Sequence, residues 1–196
     1  RPPGSTLFPY TTLFRSALLF LGMSCQTRYV EVPVLGSAEA PFIVNSADGF
    51  FKQTGAVDAT SVIERIKKDN NFEEILGIHL QGVSYTITNL SAANSTVVNG
   101  TVDVTADPAK PYQGLIRVQN LKLADVADQP QVQALLQPGV LEIDKAISPI
   151  VGGNNRISFQ VVGQGTPAPP PNLRFHFVIK VSLIVVGKVK VSVPVM

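Results

Sequence analysis

The chain has one cysteine, no tryptophan and only two histidines among its 196 residues. With a single cysteine no intrachain disulfide can form, so the fold rests on its apolar core. No apolar run reaches the roughly 18 residues that a membrane-spanning helix requires. There is no Gly-x-Ser-x-Gly elbow, no Gly-x-Gly-x-x-Gly turn and no P-loop, so the common hydrolase, dinucleotide and nucleotide motifs are excluded. His79 and His176 lie far apart and have no Cys or Asp at metal-ligand spacing. They read as ordinary strand histidines, and no metal or cofactor is expected.

Charge excess is also missing. The formal charge is +2, but Arg1 and Arg15 belong to a segment that does not read as protein design. Residues 6 to 16, Thr-Leu-Phe-Pro-Tyr-Thr-Thr-Leu-Phe-Arg-Ser, match the translation of a common short-read sequencing adapter codon for codon. Residues 1–16 are therefore read as an adapter artefact and kept out of fold reasoning. Without them fourteen basic and fourteen acidic residues remain. A balanced chain without clustered Lys/Arg gives no footprint for nucleic acid.

What is present begins at Ala17. Residues 17–24, Ala-Leu-Leu-Phe-Leu-Gly-Met-Ser, lead into Cys25, and Gln26-Thr27-Arg28 turns polar. A short apolar run ending in small residues before a lone cysteine resembles the lipobox of bacterial lipoproteins. Gly22 departs from the pattern, which places an aliphatic residue three before the cysteine. The resemblance implies that residues 17–24 are the tail of a truncated signal-peptide h-region and that Cys25 is acylated. It implies a cell-envelope location, on the outer membrane or facing the periplasm, with the membrane as a partner through the lipid. The alternative is a buried thiol on an N-terminal strand.

Residues 25–40 then read as a lipid-anchored tether with one edge strand over Tyr29 to Leu35, since Pro33 cannot donate to a ladder. Residues 41–196 read as a single β-rich domain. Pro41 to Asn45 is a second short strand, Asp48-Gly49 a turn and Phe50-Phe51 the start of a third strand. Ser61-Val62-Ile63-Glu64 has the capping-box pattern, which predicts a helix at about 60–69 stopped by Asn70-Asn71. Phe72, Ile75 and Leu76 are expected to add a further turn. From Gly77 the apolar period is two. It changes phase at Gly82, which predicts a bulge, and Asn99-Gly100 signals another bulge or turn. A strand is expected over Leu115 to Val126.

A second helical stretch is expected at about 130–151. It starts near Pro130, carries Val132, Leu135 and Leu136 on one face, is interrupted by Pro138-Gly139, and ends at Gly152-Gly153-Asn154-Asn155. Thr166 to Asn172 is a proline-rich connector.

The C-terminus has the clearest pattern. Leu173, Phe175, Phe177, Ile179, Val181, Leu183, Val185, Val189, Val191, Val193 and Val195 occupy odd positions, and Gly187 alone breaks the series. One dry face and one wet face fit an antiparallel sheet covered on one side. The run exceeds an ordinary strand, so either an odd-length hairpin or a continuous strand bent at Gly187 is expected. The fold class is mainly β: an antiparallel β-sandwich or curved sheet with two small helical insertions.

Asp103 with Asp107, and Asp125 with Asp128, read as solvated turn acids. Asn89-Leu-Ser, Asn94-Ser-Thr and Asn99-Gly-Thr are formal glycosylation sequons. Without a catalytic constellation, the expected function is that of a non-catalytic envelope lipoprotein with a binding or structural domain and a protein or apolar ligand as partner. The second reading is a carrier holding an apolar ligand between sheet and helices, and the third an envelope hydrolase.

Overall fold

The computed structural model describes residues 25–92, 95–148, 154–166 and 173–194. Among the described residues eight strands and three helices follow in chain order: β1 (Cys25–Ser46), β2 (Phe50–Asp58), α1 (Thr60–Asp69), β3 (Glu74–Ser91), β4 (Val97–Thr105), β5 (Gln113–Lys122), α2 (Leu123–Val126), β6 (Gln131–Val132), α3 (Gln137–Ile147), β7 (Arg156–Thr166) and β8 (Leu173–Pro194). They build two four-stranded antiparallel sheets, ordered β1-β8-β3-β6 and β2-β7-β4-β5. Most successive strands cross between the sheets, and this order is that of an eight-stranded jelly roll. The expected antiparallel sandwich is what forms.

β8 organises the first sheet because it is paired on both edges. Its ladder with β1 runs unbroken from Ser46↔Leu173 to Cys25↔Pro194. The odd-numbered side chains from Leu173 to Val185 are all buried. No hairpin interrupts the run, and Gly187 lies within the strand. The reason for the glycine is Phe72: a Cβ at position 187 would lie 2.0 Å from Phe72 Cδ2. Phe72 itself is buried, standing where a valine at position 187 would project. The extra helical turn expected over Phe72, Ile75 and Leu76 does not form, because β3 starts at Glu74 and enters the ladder with β8 at once.

β1 is an edge strand, as Pro33 and Pro41 require. It is longer than expected: the short strands over 29–35 and 41–45 and the segment around them form one strand, leaving no slack tether over 25–40. Pairing with β8 along the whole length satisfies backbone groups that a free tether would leave to water. The predicted irregularities in β3 and β4 are present. The β3–β8 register shifts between Leu80 and Gly82, and the β4–β5 register shifts between Val98 and Gly100.

Helix α1 has the expected bounds and a different start. Ala59, not Ser61, is its N-cap, and no side chain caps it. Ser61 already lies inside the helix, so the box cannot close. The Asp58 carboxylate accepts the Thr60 N–H at 2.9 Å instead. Asn70 ends the helix, its amide group donating to the Ile66 carbonyl at 2.9 Å. Ile63 and Ile66 are buried.

The second helical stretch is shorter than its apolar spacing suggested. Gln131–Val132 pairs with Ser84 and Tyr85 as β6, and Val132 is 80% exposed. The Leu136 N–H donates to the Leu115 carbonyl at 2.8 Å, which holds the chain extended up to that residue. Pro138 therefore stands in the first turn of α3, where its missing N–H costs nothing, and starts the helix instead of breaking it. Ile143 and Ile147 are buried, and Ser148 is the C-cap. Ile150 and Gly152-Gly153 lie outside the described residues. The strand expected over 115–126 ends at Lys122, and the single turn α2 follows with Leu123 fully buried.

The core fills the space between the sheets. Phe177 stands at its centre, stacked on Tyr85 with ring centroids 5.0 Å apart and edge-on to Phe42 at 6.3 Å. Phe51 and Phe175 make a second edge-on pair at 5.5 Å.

Candidate functional site

Cys25 heads β1 opposite Pro194 of β8, at one end of the first sheet. That end differs from the other. The β3 partner of β8 ends with Glu74↔Lys188, so the rows from Cys25↔Pro194 to Val30↔Val189 are a two-stranded ribbon. The valine series continues into the ribbon, but the cover does not. Val30 is 45% exposed and Val193 38% exposed.

The remaining candidate residues are not brought together. His79 pairs opposite Ile184 and His176 opposite Thr88, on the same face of the first sheet. Eight residues of β8 separate these rows, roughly 26 Å at strand rise. The Asn89 amide donates to His176 Nδ1 at 3.0 Å, which places the ring proton on Nε2 when the imidazole is neutral. The left-handed backbone of Asn89, with φ 52°, sets that contact.

The paired acids serve their own loops. Asp103 accepts the Thr101 hydroxyl at 3.1 Å. Asp107 accepts the Ala109 N–H at 3.0 Å and lies 3.9 Å from Lys110 Nζ. Asp125 pairs with Lys122 at 3.2 Å, and Asp128 occupies a left-handed turn with φ 60°. Among the described residues no three His, Cys, Asp or Glu side chains converge as a metal-binding group. Of the sequons, Asn99 is exposed and its side-chain oxygen accepts the Asn120 N–H at 2.8 Å, while Asn94 lies outside the described residues. The connector 167–172 also lies outside them.

Shifted carboxyl groups have structural causes. Asp48 is held below its usual range by the Ser46 hydroxyl and the Phe50 N–H, as part of the β1–β2 turn. Asp58 is lowered by Thr60 at the start of α1. Glu142, on α3, is lowered by Lys145 at 2.6 Å and by the Ala106 N–H at 3.1 Å, which ties the helix to the β4–β5 loop. Burial raises the Tyr85 phenol, against a lowering contact from Gln133 at 3.1 Å.

The interior offers little room. The cavity between the sheets holds about 30 Å³, lined by side chains such as Phe51, Ile87, Val98, Val161 and Phe177. Its lining is wholly apolar, and the volume is that of about one water. A carrier of an apolar ligand needs roughly 300 Å³ or more. Position alone missed Tyr29, Val30, Lys190 and Val193: their parity reads as ordinary sheet, and only the register shows that they lie past the last row that β3 shares.

No family model matches the chain, and no curated protein matches it. Solved structures give a weak likeness. A Desmodium yellow mottle tymovirus structure is 12% identical, with 100% of this chain and 91% of that chain covered, at a TM-score of 0.33. A turnip yellow mosaic virus structure is 15% identical, with 98% and 89% covered, at 0.30. A 60-mer BFDV capsid protein is 12% identical, with 81% and 93% covered, at 0.37. At these scores the likeness adds nothing to the strand order described above.

Proposed function

We propose that this chain is a non-catalytic jelly-roll domain of the cell envelope that acts through its outer surface and is held on a membrane by a lipid on Cys25. The filled interior carries the first half of the reading: with about 30 Å³ between the sheets, the core supports the fold and leaves binding to the exterior. The apolar run before Cys25, and the place of Cys25 at the head of the exposed ribbon, support the second half.

Metabolic labelling with a fatty-acid probe tests the anchor. The full chain, carrying a complete signal peptide upstream of Ala17, takes up label. Its Cys25→Ser variant takes up none. Equal labelling of the two, or none in either, removes the anchor.

The strand order favours a second reading. Jelly rolls ordered in two such sheets serve as shell subunits as well as binding domains, and on that fold analogy the chain is a structural subunit that assembles with copies of itself. Light scattering of the Cys25→Ser protein across a concentration series separates the two. The subunit reading expects a discrete closed assembly, whereas the anchored domain stays a monomer.

A further inference from the structure

We propose that the two-stranded ribbon of Gln26–Val30 and Val189–Val193 is a membrane-contact element that docks on anionic lipid headgroups. The proposal takes its orientation from the lipid on Cys25, and its chemistry from the ribbon alone.

The ribbon is unusual for its cover. Inside the sandwich, even positions of β1 and odd positions of β8 face the core. The same parity in the ribbon carries Val30, Val189, Val191 and Val193, beyond the last row that β3 shares. Val189 still packs partly on the core, while Val30 and Val193 are exposed. A bare two-stranded ribbon is marginal in water, and exposed valines on it gain by burial elsewhere.

Charge selects the partner. The rows beyond β3 carry two cations, Arg28 and Lys190, and no acid, while Lys188 stands in the last shared row between Glu31 and Glu74. Neither Arg28 nor Lys190 forms an ion pair among the described residues. Tyr29 is 52% exposed and carries Lys188 Nζ at 4.6 Å from its ring centroid. Val30, Val191, Val193 and Arg28 share one face of the ribbon, and Tyr29 and Lys190 the other; a ribbon entering a lipid interface end-on presents both, with the ring at headgroup level and the cations reaching anionic phosphates. Packing the ribbon on its own copy would bring like charges together, which disfavours a second copy as the occupant.

Geometry points the same way. Because β1 enters the ladder at Cys25, no tether separates an acyl chain there from the ribbon. At about 3.3 Å per residue, Tyr29 and Val30 lie within roughly 20 Å of the anchor.

The test uses the Cys25→Ser chain, so that no lipid contributes, with vesicles of phosphatidylcholine alone and of phosphatidylcholine mixed equally with phosphatidylglycerol. Cosedimentation is expected to show at least about tenfold tighter binding to the mixed vesicles, lost in Arg28→Gln/Lys190→Gln. Val30→Ser/Val193→Ser is expected to weaken what binding survives at high salt. Thermal unfolding of each variant is expected to match the parent, since the changed side chains are exposed. Equal binding to both vesicles, no binding to either, or variants that bind like the parent overturns the proposal. So does a parent that dimerises in solution while the valine variant stays monomeric, which assigns the ribbon to a second copy. Acylation is read by the labelling experiment, so loss of the anchor and loss of the ribbon contact are told apart.

Discussion

Phe177→Ala is expected to lower the stability of the chain by about 3–5 kcal/mol, the range for deleting a fully packed aromatic side chain. Phe177 lies on β8, one of the two strands paired on both edges in the first sheet, and points between the sheets. Its removal ends the stack with Tyr85 and the edge contact with Phe42 together. The site cannot collapse readily, because backbone ladders to β1 and β3 hold β8 on both sides. Urea unfolding followed by far-ultraviolet circular dichroism measures the change. A loss below about 1 kcal/mol would mean that the two sheets close over the gap, against the packing described here. Phe50→Ala is the matched control: Phe50 is 51% exposed, and its loss is expected to stay within about 0.5 kcal/mol.

The second large effect is expected at Gly187. Gly187→Val restores the alternation of the C-terminal strand, and on strand propensity alone it would stabilise. The structure reverses the sign. The new side chain meets the ring of Phe72, whose Cγ lies 2.2 Å from the added Cβ. The clash falls near the base of the ring, so a small rotation cannot relieve it. Either the strand moves or Phe72 leaves its buried position, and a loss of about 3 kcal/mol is expected. Pairing the change with Phe72→Ala tests the cause. The double variant is expected to be more stable than the sum of the single changes predicts, because the valine then fills the space that the ring leaves. Strict additivity would sink this account. Gly82→Ala is expected to be near neutral, since a Cβ there meets nothing within 4 Å.

Gly187 also shows how far the sequence could be read. Its place in an apolar series marks it as special, and a bend or turn is the natural local reading. The actual reason lies about a hundred residues away, in a phenylalanine that leaves α1 and lies against β8. The bulge at Gly82 was legible because a change of phase in the alternation forces a register shift wherever the partner strand runs, and the one at Gly100 because Asn-Gly is a turn and bulge signal. The segment 130–136 was misread for the opposite reason. Its apolar residues have helical spacing, but a bond from Leu136 to Leu115 and a short pairing to β3 hold it extended. The capping box at Ser61 failed by register: the helix starts at Thr60, so the serine lies inside it.

Of the candidate site, the sequence marked Cys25 and its apolar approach. It did not mark the ribbon. Val193 carries the same parity as Val181 and Val185, yet it is exposed and lies past the last row that β3 shares.

By itself, then, the sequence determined which side of the long C-terminal strand is dry, that the fold has no intrachain disulfide, and that the segment around Pro33 lies at an edge. These follow from local geometry: side chains alternate along a strand, and proline has no N–H to give. Only the tertiary structure decided which strands are neighbours, that the two sheets close on each other almost without a void, and where the cover ends. Neighbours in the order β1-β8-β3-β6 lie up to 169 positions apart in register, as Cys25 and Pro194 do. Such pairings depend on the whole core packing at once, and no local pattern carries that information.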